Sequence, residues 1–70
     1  MIGIFRTNIN TVKDKTAVIN AIATSFTIND CSVDIEDCDK VLRVISPQEL
    51  TENSIIEFVT RLGFRCDILD

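Results

Sequence analysis

The residues of this chain best suited to chemistry are its three cysteines, because thiolates are nucleophiles and ligands for soft metal ions. They are Cys31, Cys38 and Cys66, in a chain of 70 residues that contains no histidine. Cys31 and Cys38 are separated by a predicted strand and turn, so their Cα atoms should be more than about 10 Å apart. A disulfide requires less than about 7 Å. Cys66 lies on the last predicted strand. In a sheet of the βαββαβ type, this strand and the strand of Cys31 are the two opposite edges, roughly 14 Å apart. The sequence therefore predicts neither an intramolecular disulfide nor a three-thiolate metal site.

The three thiols are predicted to differ in environment. Cys31 and Cys66 follow the alternation of neighbouring core residues, and free cysteine is among the most buried residue types, so both should be small core hydrophobes. Cys38 falls in the acidic turn 36–39, where we expect an exposed thiol that can crosslink two chains on oxidation. Reduced thiols are typical of cytosolic proteins, and we expect a cytoplasmic protein.

Acidic residues cluster around that turn: Asp34, Glu36, Asp37 and Asp39. A helix-loop-helix calcium loop needs regularly spaced ligands, a glycine and a bidentate glutamate, which this segment lacks. We expect a solvated hairpin tip whose charge discourages pairing at a sheet edge. Without histidine, no nucleophile, base and orienting group can be assembled from the sequence. We therefore expect no enzymatic activity and no cofactor.

Length and charge restrict the class of protein further. Seventy residues predict a single domain over 1–70, and 46% apolar residues suffice for a two-layer core. The net charge is −4, with no tryptophan, no tyrosine and no basic stripe, which argues against nucleic acid and anionic membranes as partners. No apolar run reaches the roughly 20 residues of a membrane span, and no signal peptide is visible.

Periodicity predicts the order strand, helix, strand, strand, helix, strand. The strands are predicted over 2–9, 31–35, 40–45 and 65–69, and the helices over 12–26 and 52–62. Asn10 or Thr11 can cap the first helix and Thr51 the second, after a tight turn over 46–50. Gly63 fits the left-handed position that ends a helix, with Phe64 as the hydrophobic contact after it.

The predicted helices each have an apolar stripe. The first stripe contains Val12, Lys15, Val18, Ile19, Ile22, Ala23 and Phe26. The second contains Ile55, Ile56, Val59 and Leu62, with Phe58 beside it. The βαββαβ order predicts a ferredoxin-like α+β sandwich, with a four-stranded antiparallel sheet and both helices on one face. The other face should be open, and Ile2, Ile4 or Phe5 should project from it.

Several segments resemble the heavy-metal-associated (HMA) domain family of small copper chaperones and metal-pumping ATPases. They are Val33-Asp34-Ile35, residues 39–44, Leu50-Thr51, Ile55-Ile56 and Leu62-Gly63-Phe64. The resemblance implies a metal loop before the first helix, with a Cys-x-x-Cys motif preceded by Gly-Met. In this sequence the cysteine positions fall at Thr11 and Asp14, and the Gly-Met pair at Asn8 and Ile9.

A hydroxyl and a carboxylate are hard donors, whereas Cu(I) and Zn(II) in such sites require thiolates. Thr11 and Asp14 would at best join a weak oxygen site, and they are better explained as a helix cap and a first-turn acid. We therefore predict an HMA-like domain without its thiolate metal site, acting as a small protein-interaction module.

Two docking surfaces are predicted. The open sheet face can pair with a second copy to form a homodimer. Alternatively, the loop surface can dock an unknown protein partner; it comprises Asn8, Asn10, Thr11, Lys13 and Asp14. The competing hypothesis is a metallochaperone-like protein that binds metal at a non-standard or intermolecular site.

Overall fold

The computed structural model describes residues 1–47 and 49–69. Its elements follow the predicted order: β1 (Ile2–Thr7), α1 (Val12–Ser25), β2 (Asp30–Asp34), β3 (Val41–Ile45), α2 (Glu52–Arg61) and β4 (Cys66–Ile68). The strands form one antiparallel sheet in the order β2-β3-β1-β4. This arrangement confirms the predicted ferredoxin-like α+β fold. Among the described residues, no helix is long and apolar enough to span a membrane.

Side-chain caps set the starts of both helices. Thr11 precedes α1 in an extended conformation, and its hydroxyl accepts a hydrogen bond from the Asp14 amide at 3.0 Å. Thr51 caps α2 in the same way, accepting from the Ser54 amide at 3.2 Å. Each cap satisfies a backbone donor that the first helical turn leaves without a partner. The predicted turn over 46–50 includes Gln48, which lies outside the described residues.

The end of α2 is a Schellman motif. Gly63 has φ +100°, a left-handed conformation that glycine adopts without steric cost. The Gly63 amide donates to the Thr60 carbonyl at 3.0 Å, and the Phe64 amide donates to the Val59 carbonyl at 3.3 Å. Phe64 packs against the core, so the predicted glycine cap and its hydrophobic contact are confirmed.

The core lies between the helices and one face of the sheet. Its buried members are Phe5, Ile9, Val18, Ile22, Val33, Leu42, Val44, Ile55, Val59 and Cys66. Phe26 and Phe58 join the two helices through an edge-to-face ring contact, with centroids 5.2 Å apart. Both layers therefore share one continuous apolar interior.

Phe5, one of the residues predicted to project from the open face, is instead fully buried in the core, so that prediction is wrong. Its cross-strand partner Leu42 is also fully buried, which fixes the face. Side chains alternate along a strand, so Ile2 and Ile4 lie on the opposite, open face. Ile2 is 68% exposed.

The prediction that the apolar stripes extend to the helix ends is also wrong for two residues. Val12 is 67% exposed in the first turn of α1, and Leu62 is 41% exposed at the C-cap of α2. Ala23 is exposed as well, although Val18 and Ile22 on the same helix are buried. The helices contact the sheet mainly through their middle turns, so apolar residues at the ends remain in solvent.

Candidate functional site

Three connecting segments meet at one end of the sheet. Because β1 runs antiparallel to β3 and β4, its C-terminal end lies beside the N-terminal ends of those strands. The loop after β1, the β2–β3 turn and the α2–β4 connection therefore lie together. We call residues 8–11, 35–40 and 62–65 the loop pole. It contains both the loop before α1, where the sequence resemblance predicted the metal loop, and the exposed thiol of Cys38.

Thr7 connects two of these segments. Its amide donates to the Asp39 carbonyl at 3.0 Å, and its hydroxyl donates to the Lys40 carbonyl at 2.5 Å. The same hydroxyl accepts from the Ile9 amide at 3.2 Å. Ile9 is fully buried, and Thr7 is 7% exposed. The start of the loop is therefore fixed to the hairpin by a buried hydroxyl and an apolar anchor, which also ends β1 at Thr7 rather than at the predicted Ile9.

The loop is also joined to β4. The Asn8 side-chain oxygen accepts a hydrogen bond from the Arg65 amide at 2.8 Å. This bond crosses 57 positions of sequence and holds Asn8 against the beginning of the last strand. Asn8 therefore positions the loop, although its side chain is exposed.

Thr11 and Asp14, which the sequence resemblance aligned with the HMA cysteine positions, have a local structural role. The Thr11 hydroxyl accepts the Asp14 amide hydrogen, so one of its lone pairs is occupied by the helix cap. Asp14 lies in the first turn of α1, where a negative charge favours the helix dipole. Asn10, Thr11 and Lys13 are exposed and Asp14 is half-buried. The predicted docking surface is thus accessible apart from part of Asp14.

The structure distinguishes the three cysteines. Cys66 is buried, Cys31 is half-buried against the core and Cys38 is exposed, and none forms a disulfide. Burial, with a smaller contribution from Asp30, raises the pKa of Cys31 from 9.0 to about 11. Burial, with a smaller contribution from Asp67, likewise raises the pKa of Cys66 from 9.0 to about 11. Both thiols are therefore protonated at neutral pH, a state unsuited to metal binding or nucleophilic attack.

Cys38 lies in a group of donors that sequence reasoning did not identify. The Cys38 Sγ atom and one carboxylate oxygen from each of Asp37 and Asp39 lie within 4.8 Å of one another. The two carboxylates already have partners: an Asp37 oxygen accepts from the Asp39 amide at 2.8 Å, and an Asp39 oxygen accepts from Arg6 Nε at 3.1 Å. The Asp-Cys-Asp sequence was the available signal, but only the turn conformation brings the three ligand atoms together.

The open sheet face has an apolar patch. It consists of Ile2, Ile4, Val41, Ile45 and Leu69, which lie on the side of the sheet away from the helices. None belongs to the core or packs against it. Ile2 and Ile45 are cross-strand partners on the two central strands. We call these five residues the open-face patch.

Comparisons with known proteins give a structural likeness. No protein-family model matches the sequence, and no curated protein matches it either. One solved structure, described as concerning crosstalk between Cu(I) and Zn(II) homeostasis, superposes with a TM-score of 0.83 at 17% sequence identity. The alignment covers 99% of this chain and 99% of that one. At this identity the likeness establishes the fold.

Proposed function

We propose that this chain is an HMA-like domain that lacks a thiolate site in its first loop and acts as a non-enzymatic protein-interaction module. The observation that carries the proposal is the open-face patch, an apolar surface on a chain of only 70 residues. Ile2 is exposed, the other four residues are half-buried, and Arg43 lies on the same face opposite Ile4. Exposed apolar surface on a small domain commonly marks an interaction site. The occupant we propose is a second copy of the chain.

The metal part of the proposal is supported by the fold and by the loop. A full-length structural neighbour concerned with Cu(I) and Zn(II) homeostasis agrees with the sequence resemblance. In this chain, however, the corresponding loop presents oxygen donors at Thr11 and Asp14, and the Thr11 hydroxyl serves as a cap. Soft ions bind such donors weakly, so transfer of copper from this loop is disfavoured.

The strand order makes the patch self-complementary. β3 and β1 are the central strands of the sheet. A two-fold axis parallel to the strands, between two stacked sheets, would place β1 of one copy opposite β3 of the other. Ile2 and Ile45 are at the same level in the register, so this symmetry brings four isoleucines together. Their burial provides the driving force for association.

Sedimentation at micromolar concentrations tests the proposal. We expect the wild type to dimerise, Ile2→Glu to be monomeric, and Val12→Glu to dimerise like the wild type. Ile2 and Val12 are matched, since they are 68% and 67% exposed, but Val12 lies on α1, away from the open face. A wild type that is monomeric throughout would contradict the homodimer. Each chain carries −4, so added salt should strengthen the dimer by screening repulsion.

A second candidate function is metal binding at the β2–β3 turn, favoured by the grouping of Asp37, Cys38 and Asp39. One thiol with two carboxylates already used in hydrogen bonds is a poor site for a soft ion, so two chains would have to share it. Titration with Cu(I) or Zn(II) against a competing chelator decides between the functions. Tight binding that disappears in Cys38→Ser supports the metal site, and absence of tight binding supports the interaction module.

A further inference from the structure

A cleft of about 130 Å³ lies where the sheet surface meets the loop pole, and the function proposed above does not use it. Its lining residues are Arg6, Thr7, Asn8, Arg65 and Asp67. Arg6 and Asp67 are cross-strand partners on β1 and β4. Two arginines from neighbouring segments, Arg6 and Arg65, therefore line the same small volume.

Much of the hydrogen-bonding capacity of the cleft consists of unused donors. Arg6 uses Nε to reach Asp39 at 3.1 Å, which leaves its two terminal nitrogens. Within the described part of the chain, the Arg65 guanidinium has no hydrogen bond or ion pair. Asn8 uses its oxygen to accept from the Arg65 amide, so the side-chain NH₂ group is available to donate. Among the described residues of the lining, Asp67 supplies the single carboxylate.

This donor set matches a compact oxyanion. Guanidinium groups bind carboxylate and phosphate through paired N–H···O bonds, and a side-chain amide adds a further donor. The formal charges of the lining residues sum to +1, and Asp39, which pairs with Arg6, brings the local sum to 0, compared with −4 for the whole chain. We propose that the cleft binds a carboxylate, either a free small carboxylate or one presented by an acidic side chain of a protein. The inference does not depend on homodimer formation.

The experiment is an NMR titration of the wild type with sodium acetate at constant ionic strength, with sodium chloride as the counterpart. We expect saturable shifts of the Asn8 side-chain amide and of Arg65 Nε. Arg65→Gln should weaken binding about tenfold, since it removes charge-assisted hydrogen bonds. Asp67→Asn should strengthen binding severalfold by removing repulsion. Arg43→Gln, an exposed arginine on the same face outside the cleft, is the matched control and should bind like the wild type.

A blocked peptide with one glutamate separates the two sources of the carboxylate. Tighter binding than acetate assigns the cleft to a protein side chain, and weaker binding assigns it to a small molecule. Absence of saturable shifts in the wild type would overturn the inference. Equal weakening in Arg65→Gln and Arg43→Gln would also overturn it, since it would show a general charge effect. The proposed interaction module is tested separately by sedimentation, so the two ideas can fail independently.

Discussion

Replacing Thr7 with valine should destabilise the domain substantially, although the two side chains have nearly the same size and shape. Thr7 is 7% exposed, and its hydroxyl makes two hydrogen bonds, one to the Lys40 carbonyl and one from the Ile9 amide. Valine keeps the shape but removes both bonds. Each buried group left unsatisfied costs about 1–3 kcal/mol. The extra buried methyl returns up to about 0.8 kcal/mol.

The net loss should be about 2 kcal/mol, because water can partly solvate the Lys40 carbonyl. A domain of this length has a total stability of about 4–10 kcal/mol. With a urea m-value of about 1 kcal/mol/M, the unfolding midpoint should fall by about 2 M at unchanged m. Faster hydrogen exchange of the Ile9 amide should accompany the change, because that amide loses its acceptor.

Thr24→Val is the matched control. Thr24 also donates through its hydroxyl, to the Asn20 carbonyl at 2.8 Å, but it is exposed on α1. Water replaces that bond, so the cost should stay below about 0.5 kcal/mol. If Thr7→Val were as mild as Thr24→Val, the reasoning that a buried hydroxyl fixes the loop to the hairpin would be refuted.

Two further predictions concern the core and the thiols. Gly3→Ala should lower the free energy of unfolding by about 1–3 kcal/mol, because the new Cβ would lie 2.7 Å from Cε2 of the fully buried Phe5 ring. The change would be measured as a lower urea midpoint. An unchanged midpoint would show that the ring can move aside. With Ellman's reagent at pH 8, Cys38 should react fast and Cys31 and Cys66 slowly, since only Cys38 is exposed. The folded pKa of both slow thiols is raised from 9.0 to about 11, so the unfolded chain loses these protons first and stability should fall as pH rises from about 9 to 11. A midpoint independent of pH in that interval would contradict this.

The type and order of the elements were predictable because propensities, caps and turn residues gave consistent signals. Thr11 and Thr51 stand where the caps were predicted, and Gly63 ends α2 as predicted. The facing of β1 was not predictable, because Ile2, Ile4, Phe5 and Ile9 are apolar on both faces of a strand. Only pairing with β3, which places Phe5 beside Leu42, decides which face meets the helices.

The site was less predictable because it depends on contacts between distant segments. Thr7 is an ordinary strand residue in sequence, yet its hydroxyl joins the first loop to the hairpin. Asn8 was predicted as a docking residue, and its contact with the Arg65 amide could not be inferred from spacing. Burial of Cys66 and exposure of Cys38 were predicted correctly, because each followed from its position in a strand or a turn.

Introducing two thiols into the first loop tests the proposal that this loop is the equivalent of an HMA metal loop. We predict that Thr11→Cys with Asp14→Cys, in a Cys38→Ser background, binds one Cu(I) tightly, because the helix N-terminus stabilises two close thiolates. Loss of the Thr11 cap should cost about 1 kcal/mol, which the domain can tolerate. The control is Thr51→Cys with Ser54→Cys, which places the same spacing at the start of α2. Equal affinity in both variants would mean that any capped helix start suffices. A folded first-loop variant that binds no copper would refute the correspondence with the family's metal loop.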